Sequence, residues 1–404
     1  MEGFSLLNSD MFRHGQPHEL YDLLREHSPV YRHPGNGDQP DFWALTRFED
    51  IRAVSLDGEN FTSTRGFIIP TEIRSNLDPE IGIALSRFML AMDNPEHQDF
   101  RAVVVSAFMP SALKQVLPRI QASVDALFQS LEELEEADFV NTIAATVPIK
   151  TICAIMGIPA ADEARVFEFT NTVFGIDDPE LAASADATNE GYRALFEYGW
   201  DLLEARRRDP RDDLLTRIAH GTVGGRPLTP TEQKGFFSNL IAAGNETTRS
   251  TLAGSIYGLA KHPDQRQALI ADPALLSTAI NELIRWFSPV YHFSRVARRD
   301  VVVGGQAIGE GERVAMLYGA GNHDPAMFVD PHQLDIHRNN AKANLAFGYG
   351  IHNCLGSRLA LMQLDLILSR FLLNFPEYEI LSEPTFIRSN LVQAMKTLPV
   401  RLRN

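Results

Sequence analysis

Cysteine is scarce in this sequence, and basic residues are outnumbered. Two cysteines among 404 residues, Cys153 and Cys354, are too few for a disulfide scaffold or a Cys-rich zinc or iron-sulfur site, although a lone cysteine can still bind a metal. Lys and Arg number 37 against 52 Asp and Glu, which gives a net charge of -15. This balance argues against a nucleic-acid partner, because phosphates are held mainly by clustered Lys and Arg.

Long apolar runs are also missing. No stretch approaches the ~20 consecutive apolar residues that cross a bilayer. Residues 1–15 lack the charged-then-apolar pattern of a signal peptide. We therefore expect a cytoplasmic protein with no membrane anchor.

The hydrophobic residues, 44% of the chain, follow mostly helical spacing. Residues 18–27 and most of residues 110–260 carry apolar positions three and four apart, which predicts helices. Candidate strands lie around Val30 and Trp43, and Val-rich runs broken by glycine pairs predict a hairpin between residues 300 and 318. The sequence therefore predicts a mainly α fold with a minor β region.

No internal repeat and no strong linker divides the chain. We predict one large domain over residues 1–404. It would consist of a small mixed α/β lobe, about residues 1–65, and a helical body, about residues 66–404.

One of the cysteines lies in a glycine-rich segment ahead of an apolar helix. Within residues 346–356, three glycines flank Cys354 and let the backbone turn tightly against a flat cofactor. Residues 359–371 are apolar on most faces, which predicts a buried helix. The N-terminus of such a helix favours the thiolate, the form of cysteine that binds metals. The alternative is a buried structural cysteine without a ligand.

This segment resembles the haem-binding loop of the cytochrome P450 family, Phe-Gly-x-Gly-x-His-x-Cys-x-Gly. The matching residues are Phe347, Gly348, Gly350, His352, Cys354 and Gly356. The resemblance implies a cytochrome P450 fold and haem b, iron protoporphyrin IX, as the cofactor. It makes Cys354 the axial iron ligand, Phe347 a neighbour of the sulfur and His352 a neighbour of a haem propionate. A thiolate ligand favours cleavage of the O–O bond.

A long helix is predicted between a capping box at residues 229–232 and a stop at residues 262–263. Gly244 and the threonines after it weaken this helix at its middle, which taken alone would indicate only a kink. The family carries an Ala-Gly-x-acid-Thr motif where its central helix passes over the haem. Glu246 and Thr247 occupy the acid and threonine positions, and the resemblance implies that they deliver protons during oxygen activation.

A Glu-x-x-Arg pair, Glu282 and Arg285, lies on a predicted helix and is followed by Arg338. Such a pair is usually a surface ion pair. Here the order and spacing resemble the Glu-Arg-Arg network of the family, which implies a structural role behind the haem.

Three further basic residues resemble the family's propionate contacts. His97 and Arg101 are four residues apart, and Arg295 lies after a second apolar segment. Their charge-assisted hydrogen bonds suit carboxylates. For His97 alone, the alternative is a solvated helix face.

Strongly apolar segments correspond to the family's substrate pocket and imply a hydrophobic small molecule, although ordinary core is the alternative. The candidate pocket residues are Phe67, Ile68, Ile69, Phe88, Met89, Leu90, Leu240, Ala243, Val290, Tyr291, Phe293, Leu391 and Val392. Residues 243–249 and 386–391 look most like those of bacterial hydroxylases of terpenoids, sterol side chains and alkyl groups.

The resemblance implies a monooxygenase that inserts one atom of O2 into a C–H bond. No flavin or nicotinamide domain is visible, so we expect a monomer that receives electrons from a separate ferredoxin or similar protein. Candidate docking residues are Arg101, Lys114, Arg119 and Arg358. The family's bacterial members often have Arg where this chain has Leu361, which leaves the donor and its docking contacts open.

Two other functions remain at this point. One is a haem-thiolate peroxygenase or isomerase, and the other is a haem-binding carrier or gas sensor without turnover. The Glu246–Thr247 pair argues against both, since neither needs a proton relay.

Overall fold

Helices form most of the molecule. The computed structural model describes residues 5–36, 39–71, 76–181 and 184–403. The α-helices within them are α1 (His18–His27), α2 (Phe48–Leu56), α3 (Pro79–Ser86), α4 (Glu96–Val104), α5 (Pro110–Leu131), α6 (Thr146–Met156), α7 (Glu163–Phe174), α8 (Ala185–Arg208), α9 (Leu214–Ala219), α10 (Pro230–Lys261), α11 (Pro263–Ala271), α12 (Leu276–Phe287), α13 (Tyr318–Asn322) and α14 (Ser357–Asn374). The mainly α prediction is confirmed.

The strands are short and form small sheets. They are β1 (Val30–His33), β2 (Phe42–Leu45), β3 (Phe61–Thr62), β4 (Glu136–Asp138), β5 (Thr222–Val223), β6 (Arg226–Pro227), β7 (His292–Ala297), β8 (Val301–Val303), β9 (Gln306–Ile308), β10 (Arg313–Leu317), β11 (Glu379–Ile380), β12 (Thr385–Phe386), β13 (Met395–Thr397) and β14 (Pro399–Arg401). β8 and β9 form the predicted hairpin.

The main sheet joins the two ends of the chain. Its strand order is β1-β2-β10-β7-β3, in which β10 is parallel to β2 and antiparallel to β7. Strands from the first 65 residues therefore complete a sheet whose other two strands come from the second half of the chain.

The central helix α10 begins and ends where its sequence signals predict. The Thr229 hydroxyl accepts a hydrogen bond from the Glu232 backbone N–H, 3.3 Å, and the Glu232 carboxylate accepts one from the Thr229 N–H, 2.7 Å. The helix continues through Gly244 without a break, and the Thr247 and Thr248 hydroxyls donate hydrogen bonds to carbonyls one turn earlier. Since α10 is buried for most of its length, it places those threonines in the interior.

One stretch, Phe139–Met156, is long and apolar enough to cross a membrane, and the bent pair Glu96–Phe108 and Pro110–Leu131 passes the same test together. The stretch Phe139–Met156 is 72% buried and packs against α10. Its apolar character is explained by its place in the core.

Candidate active site

A large cavity lies between α10 and the loop that precedes α14. With its open mouth it encloses about 1390 Å³. Its lining joins residues of both elements, among them Thr247 of α10, Leu359 of α14 and Cys354 of the loop. A ligand in the cavity would therefore contact α10 on one side and the cysteine loop on the other.

Cys354 lies at the floor of this cavity, three residues before α14. Its backbone N–H donates to the Phe347 carbonyl, 2.8 Å, which closes the loop. Gly350 in this loop has φ +70°, and a Cβ there would lie 2.8 Å from the Ser55 carbonyl oxygen, so the turn requires glycine. The loop thus presents the Cys354 sulfur to the cavity.

Two opposing effects act on the Cys354 thiol. Burial raises its pKa, because an apolar environment disfavours the thiolate. The backbone N–H groups of Gly356 and Ser357, at the N-terminus of α14, and the Arg101 guanidinium lower that pKa. The loop therefore supplies hydrogen bonds to a thiolate, and a metal cation at the sulfur would supply the remaining charge compensation.

Basic side chains crowd one side of the cavity. His97, Arg101 and His352 line it, and Arg295 lies close enough to lower the pKa of both histidines. Burial, followed by Arg101, lowers the pKa of His97 to about 4, and burial, followed by Arg295 and His97, lowers that of His352 to about 2. The Arg101 and Arg295 guanidinium groups beside these two histidines leave net positive charge on this side of the cavity, which an anionic ligand would compensate.

The hydrogen bonds of this basic cluster are incomplete. His97 Nε2 and His352 Nδ1 are buried without a hydrogen-bond partner among the described residues. The other ring nitrogen of His352 lies 3.1 Å from the Ser63 hydroxyl, and Arg295 donates to its neighbour's backbone carbonyl, 2.7 Å. The cluster fits a cofactor with two carboxylates, as haem has, and the Cys354 thiol fits its iron.

Thr247 and Glu246 are neighbours in sequence but differ in position. Thr247 lines the cavity and donates to the Ala243 carbonyl, 2.9 Å. Glu246 is fully buried and is not among the residues that line the cavity. Its carboxylate pairs with Arg249 and accepts a hydrogen bond from the Ser250 hydroxyl, 2.9 Å. The structure therefore brings Thr247, but not the Glu246 carboxylate, to the cavity wall.

About half of the predicted pocket residues line the cavity. The lining members are Phe88, Met89, Leu90, Leu240, Ala243, Val290 and Phe293. Those that do not line it are Phe67, Ile68, Ile69, Tyr291, Leu391 and Val392.

The residues outside the cavity are held by other contacts. Tyr291 precedes β7 and is fully buried, with its ring 4.3 Å from that of Phe12, so its predicted place in the pocket is corrected to the core. Val392 and Leu391 pack in a separate core cluster that includes Phe174. The Phe67 ring packs against that of Phe293, with 6.0 Å between the ring centroids.

Several lining residues were missed by the sequence analysis. Thr251 is one helical turn after Thr247, so the four-residue spacing on α10 could have identified it. Ile152 and Gln363 also line the cavity, but they come from segments whose patterns indicate only buried helices.

The predicted Glu-Arg-Arg network is present in the structure. Glu282 and Arg285 are both fully buried and form two hydrogen bonds of 2.7 Å with each other. Arg338 reaches both oxygens of Glu282 at 3.1 Å. Arg285 also donates to the Asn322 carbonyl, 2.6 Å, and the Asn322 side chain accepts from the Leu345 N–H, 2.7 Å, at the start of the cysteine loop. The network thus supports the segment that carries Cys354.

Comparisons with known proteins agree with this site. A sequence model described as Cytochrome P450 matches residues 197–396. Linalool 8-monooxygenase of Pseudomonas putida is 32% identical, and the alignment covers 100% of this chain and 99% of that protein. Steroid C26-monooxygenase of Rhodococcus jostii (strain RHA1) is 31% identical over 99% of this chain and 84% of that protein.

The fold is also found among solved structures. A cytochrome P450 of Mycobacterium marinum in complex with pseudoionone has a TM-score of 0.89 and 33% identity, over 95% of this chain and 94% of that chain. The predictions of the fold, of haem as the cofactor and of a monooxygenase are confirmed. This chain belongs to the cytochrome P450 family and is a haem-dependent monooxygenase.

Proposed function

We propose that this monooxygenase hydroxylates a hydrophobic small molecule of the terpenoid, sterol side-chain or alkyl and aromatic class. The observation that carries the proposal is the apolar wall of the cavity, formed by residues such as Phe88, Leu240 and Phe293. Among the described lining residues, Arg101 is the one with a permanent charge, and it lies with the histidines at the basic side. A charged substrate would lose its hydration against this wall without compensation. The named substrates of the terpenoid and steroid relatives support the same class.

The chain's first task is to hold the cofactor. We infer that Cys354 binds the iron and that His97, Arg101, Arg295 and His352 hold the carboxylates. Haem bound in this way supplies O2 activation and transfer of one oxygen atom to a C–H bond, with two electrons from outside. The apolar lining orients the substrate and excludes water from the reacting carbon.

The second task is to manage protons. The Thr247 hydroxyl donates a hydrogen bond to the Ala243 carbonyl, 2.9 Å, and keeps lone pairs that can accept a hydrogen bond from water in the cavity. Thr247 is therefore the proposed site of direct proton transfer. The Glu246 carboxylate can take part only after it leaves Arg249 and Ser250, which makes its proposed role indirect.

A substrate panel tests the substrate class. Neutral terpenoids, sterols and alkyl compounds should shift the haem spin state and yield hydroxylated products, whereas matched carboxylates and amines should do neither. Leu240→Gln should weaken binding of the best substrate by about tenfold, because it replaces buried apolar surface with an amide. Leu373→Gln is the control, since Leu373 is 74% exposed on α14. Preferential turnover of charged compounds would contradict the proposal.

We also propose that a separate acidic ferredoxin supplies the electrons to a monomeric, cytoplasmic protein. Lys114 and Arg119 on α5 and Arg358 on α14 are exposed, and α5 packs against α14. Arg101 faces the cavity and is therefore left out of this surface. The rate of reduction should fall with ionic strength, and Arg358→Glu should lower it further at low salt. An unchanged rate would exclude this docking face.

A further inference from the structure

Three histidines meet on a side of the molecule that the monooxygenase reaction does not use. His18 lies at the start of α1, His323 directly follows α13, and His332 lies in the loop after it. One ring nitrogen from each histidine lies within 4.8 Å of those of the other two. The ring centroids of His18 and His323 are 4.0 Å apart. The chain therefore brings together three nitrogen ligands from two distant segments.

The hydrogen bonds around two of these rings leave a lone pair free on each. His323 Nδ1 lies 2.9 Å from the Gly319 carbonyl, which can only accept, so Nδ1 carries the proton and Nε2 has the lone pair. His332 Nε2 lies 2.7 Å from an Asp22 carboxylate oxygen, which leaves Nδ1 with the lone pair when the ring is neutral. Histidines that bind metals typically make such a second hydrogen bond to a carbonyl or carboxylate.

The third ring supplies the independent observation. His18 Nδ1 is buried and has no hydrogen-bond partner among the described residues. A buried ring nitrogen left in this state costs roughly 1–3 kcal/mol unless something occupies it. Imidazole rings with an available lone pair are common nitrogen ligands of divalent transition metals.

The two arginines that act on His18, Arg25 and Arg285, are already paired with carboxylates. Arg25 donates to Asp22, 2.6 Å, and Arg285 makes its two hydrogen bonds to Glu282. Both arginines help to lower the pKa of His18, so they oppose a cation, but each is accompanied by its carboxylate. An open cleft lined by Asp22, His323 and His332 gives access from solvent.

We propose that His18, His323 and His332 bind one divalent transition-metal ion, zinc in the first place, which clips α1 to the segment after α13. Zinc accepts neutral imidazole nitrogens at about 2.0–2.1 Å, so its ligand nitrogens lie about 3.3 Å apart in a tetrahedral site. The rings need to close by no more than about 1.5 Å, and His332 has room to move because its side chain is 48% exposed. Water from the cleft completes the fourth position, and Asp22 orients His332.

Zinc binding to the haem-loaded protein tests this site directly. Protein treated with a chelator and desalted is titrated with zinc chloride by isothermal titration calorimetry. One equivalent should bind. His332→Gln and His18→Gln should each weaken binding by more than about tenfold, and Asp22→Asn by about 10–100-fold, the usual effect of losing an outer-shell partner.

His27→Gln is the matched control, because His27 is an exposed histidine on the same helix, outside the cluster. It should bind zinc like the parent protein. The haem spectrum of each variant verifies that it is folded.

Copper(II) provides a second readout, since its electron paramagnetic resonance spectrum should carry imidazole nitrogen couplings that are lost in His332→Gln. Absence of stoichiometric zinc binding, or binding that His18→Gln and His332→Gln leave unchanged, would overturn the proposal.

Discussion

Two Glu–Arg pairs with the same spacing are both buried, yet their surroundings differ. Glu282 and Arg285 on α12 form a network in which Arg285 also donates to three backbone carbonyls and Arg338 binds the carboxylate. Glu246 and Arg249 on α10 have far fewer partners. The Glu246 carboxylate accepts hydrogen bonds from Arg249 and Ser250. The Arg249 guanidinium lies 5.3 Å from the centre of the Phe167 ring.

The difference shows that a motif acquires its role from its neighbours. Removing one partner from a buried ion pair leaves an uncompensated charge, whereas removing both can be nearly neutral if no other group depended on them. Around Arg285, the carbonyls of Asn322, Pro331 and Gln333 do depend on it. Around Arg249 no such carbonyls are found among the described residues, so no backbone group loses its donor when both members of this pair are replaced.

Glu282→Gln should have the largest effect. It leaves Arg285 and Arg338 without their shared carboxylate, and we expect a loss of about 3–5 kcal/mol with poor haem retention. Urea unfolding and haem content measure this. Glu49→Gln is the control, because Glu49 and Arg52 form an exposed pair with the same spacing, worth under about 1 kcal/mol. Equal losses in the two variants would refute the assignment of a structural role to Glu282.

Arg249→Met should cost less, about 2 kcal/mol, because Glu246 keeps the Ser250 hydroxyl. The double variant Glu246→Met/Arg249→Met should return to within about 1 kcal/mol of the parent protein. Glu282→Met/Arg285→Met should not recover, since backbone carbonyls lose their donor. Free energies of unfolding from the two double-mutant cycles compare the pairs. If both double variants regained a similar share of the parent protein's stability, the claimed difference between the two pairs would be contradicted.

Ser250→Ala should cost about 1 kcal/mol, the typical value of one hydrogen bond. It removes the second donor to Glu246 and leaves the ion pair in place. Thermal unfolding followed in the far ultraviolet measures the effect, with haem content unchanged. A loss of unfolding free energy as large as that of Glu282→Gln would contradict the claim that fewer groups depend on the Glu246–Arg249 pair than on the Glu282–Arg285 pair.

Thr247→Ala should have the smallest effect on stability, below about 0.5 kcal/mol, since alanine favours the helix and offsets the lost hydrogen bond to Ala243. The same change should divert electrons from product to hydrogen peroxide, because the proposed site of proton transfer at the cavity wall is gone. The amounts of product and of hydrogen peroxide formed per NADH consumed measure this diversion. Thr247→Ser keeps a hydroxyl and should retain most of the coupling of NADH consumption to product. Unchanged coupling in Thr247→Ala would remove Thr247 from the proposed relay.

The sequence predicted the secondary structure around the site well. Helix α10 has a capping box at one end and His-Pro at the other, and these local signals determine its bounds. The cysteine loop was equally clear, because positive φ angles at Gly348 and Gly350 require glycine there.

Tertiary contacts were harder to predict. Apolar residues near the site look alike in sequence whether they face the cavity, as Phe293 does, or the core, as Tyr291 does. The position of Glu246 depends on Arg249, and a pair with this spacing is usually on a surface. The histidine cluster joins residues about 300 positions apart, and no local pattern indicates it.

The most direct test of the account is the carbon monoxide difference spectrum of the reduced protein, compared with that of Cys354→Ser. The parent protein should show the long-wavelength Soret band of a thiolate-ligated haem, and Cys354→Ser should lose it while Cys153→Ser keeps it, because Cys153 is buried in the core. A shorter-wavelength band in the folded parent protein, or a thiolate band that survives in Cys354→Ser, would contradict the assignment of Cys354 as the iron ligand.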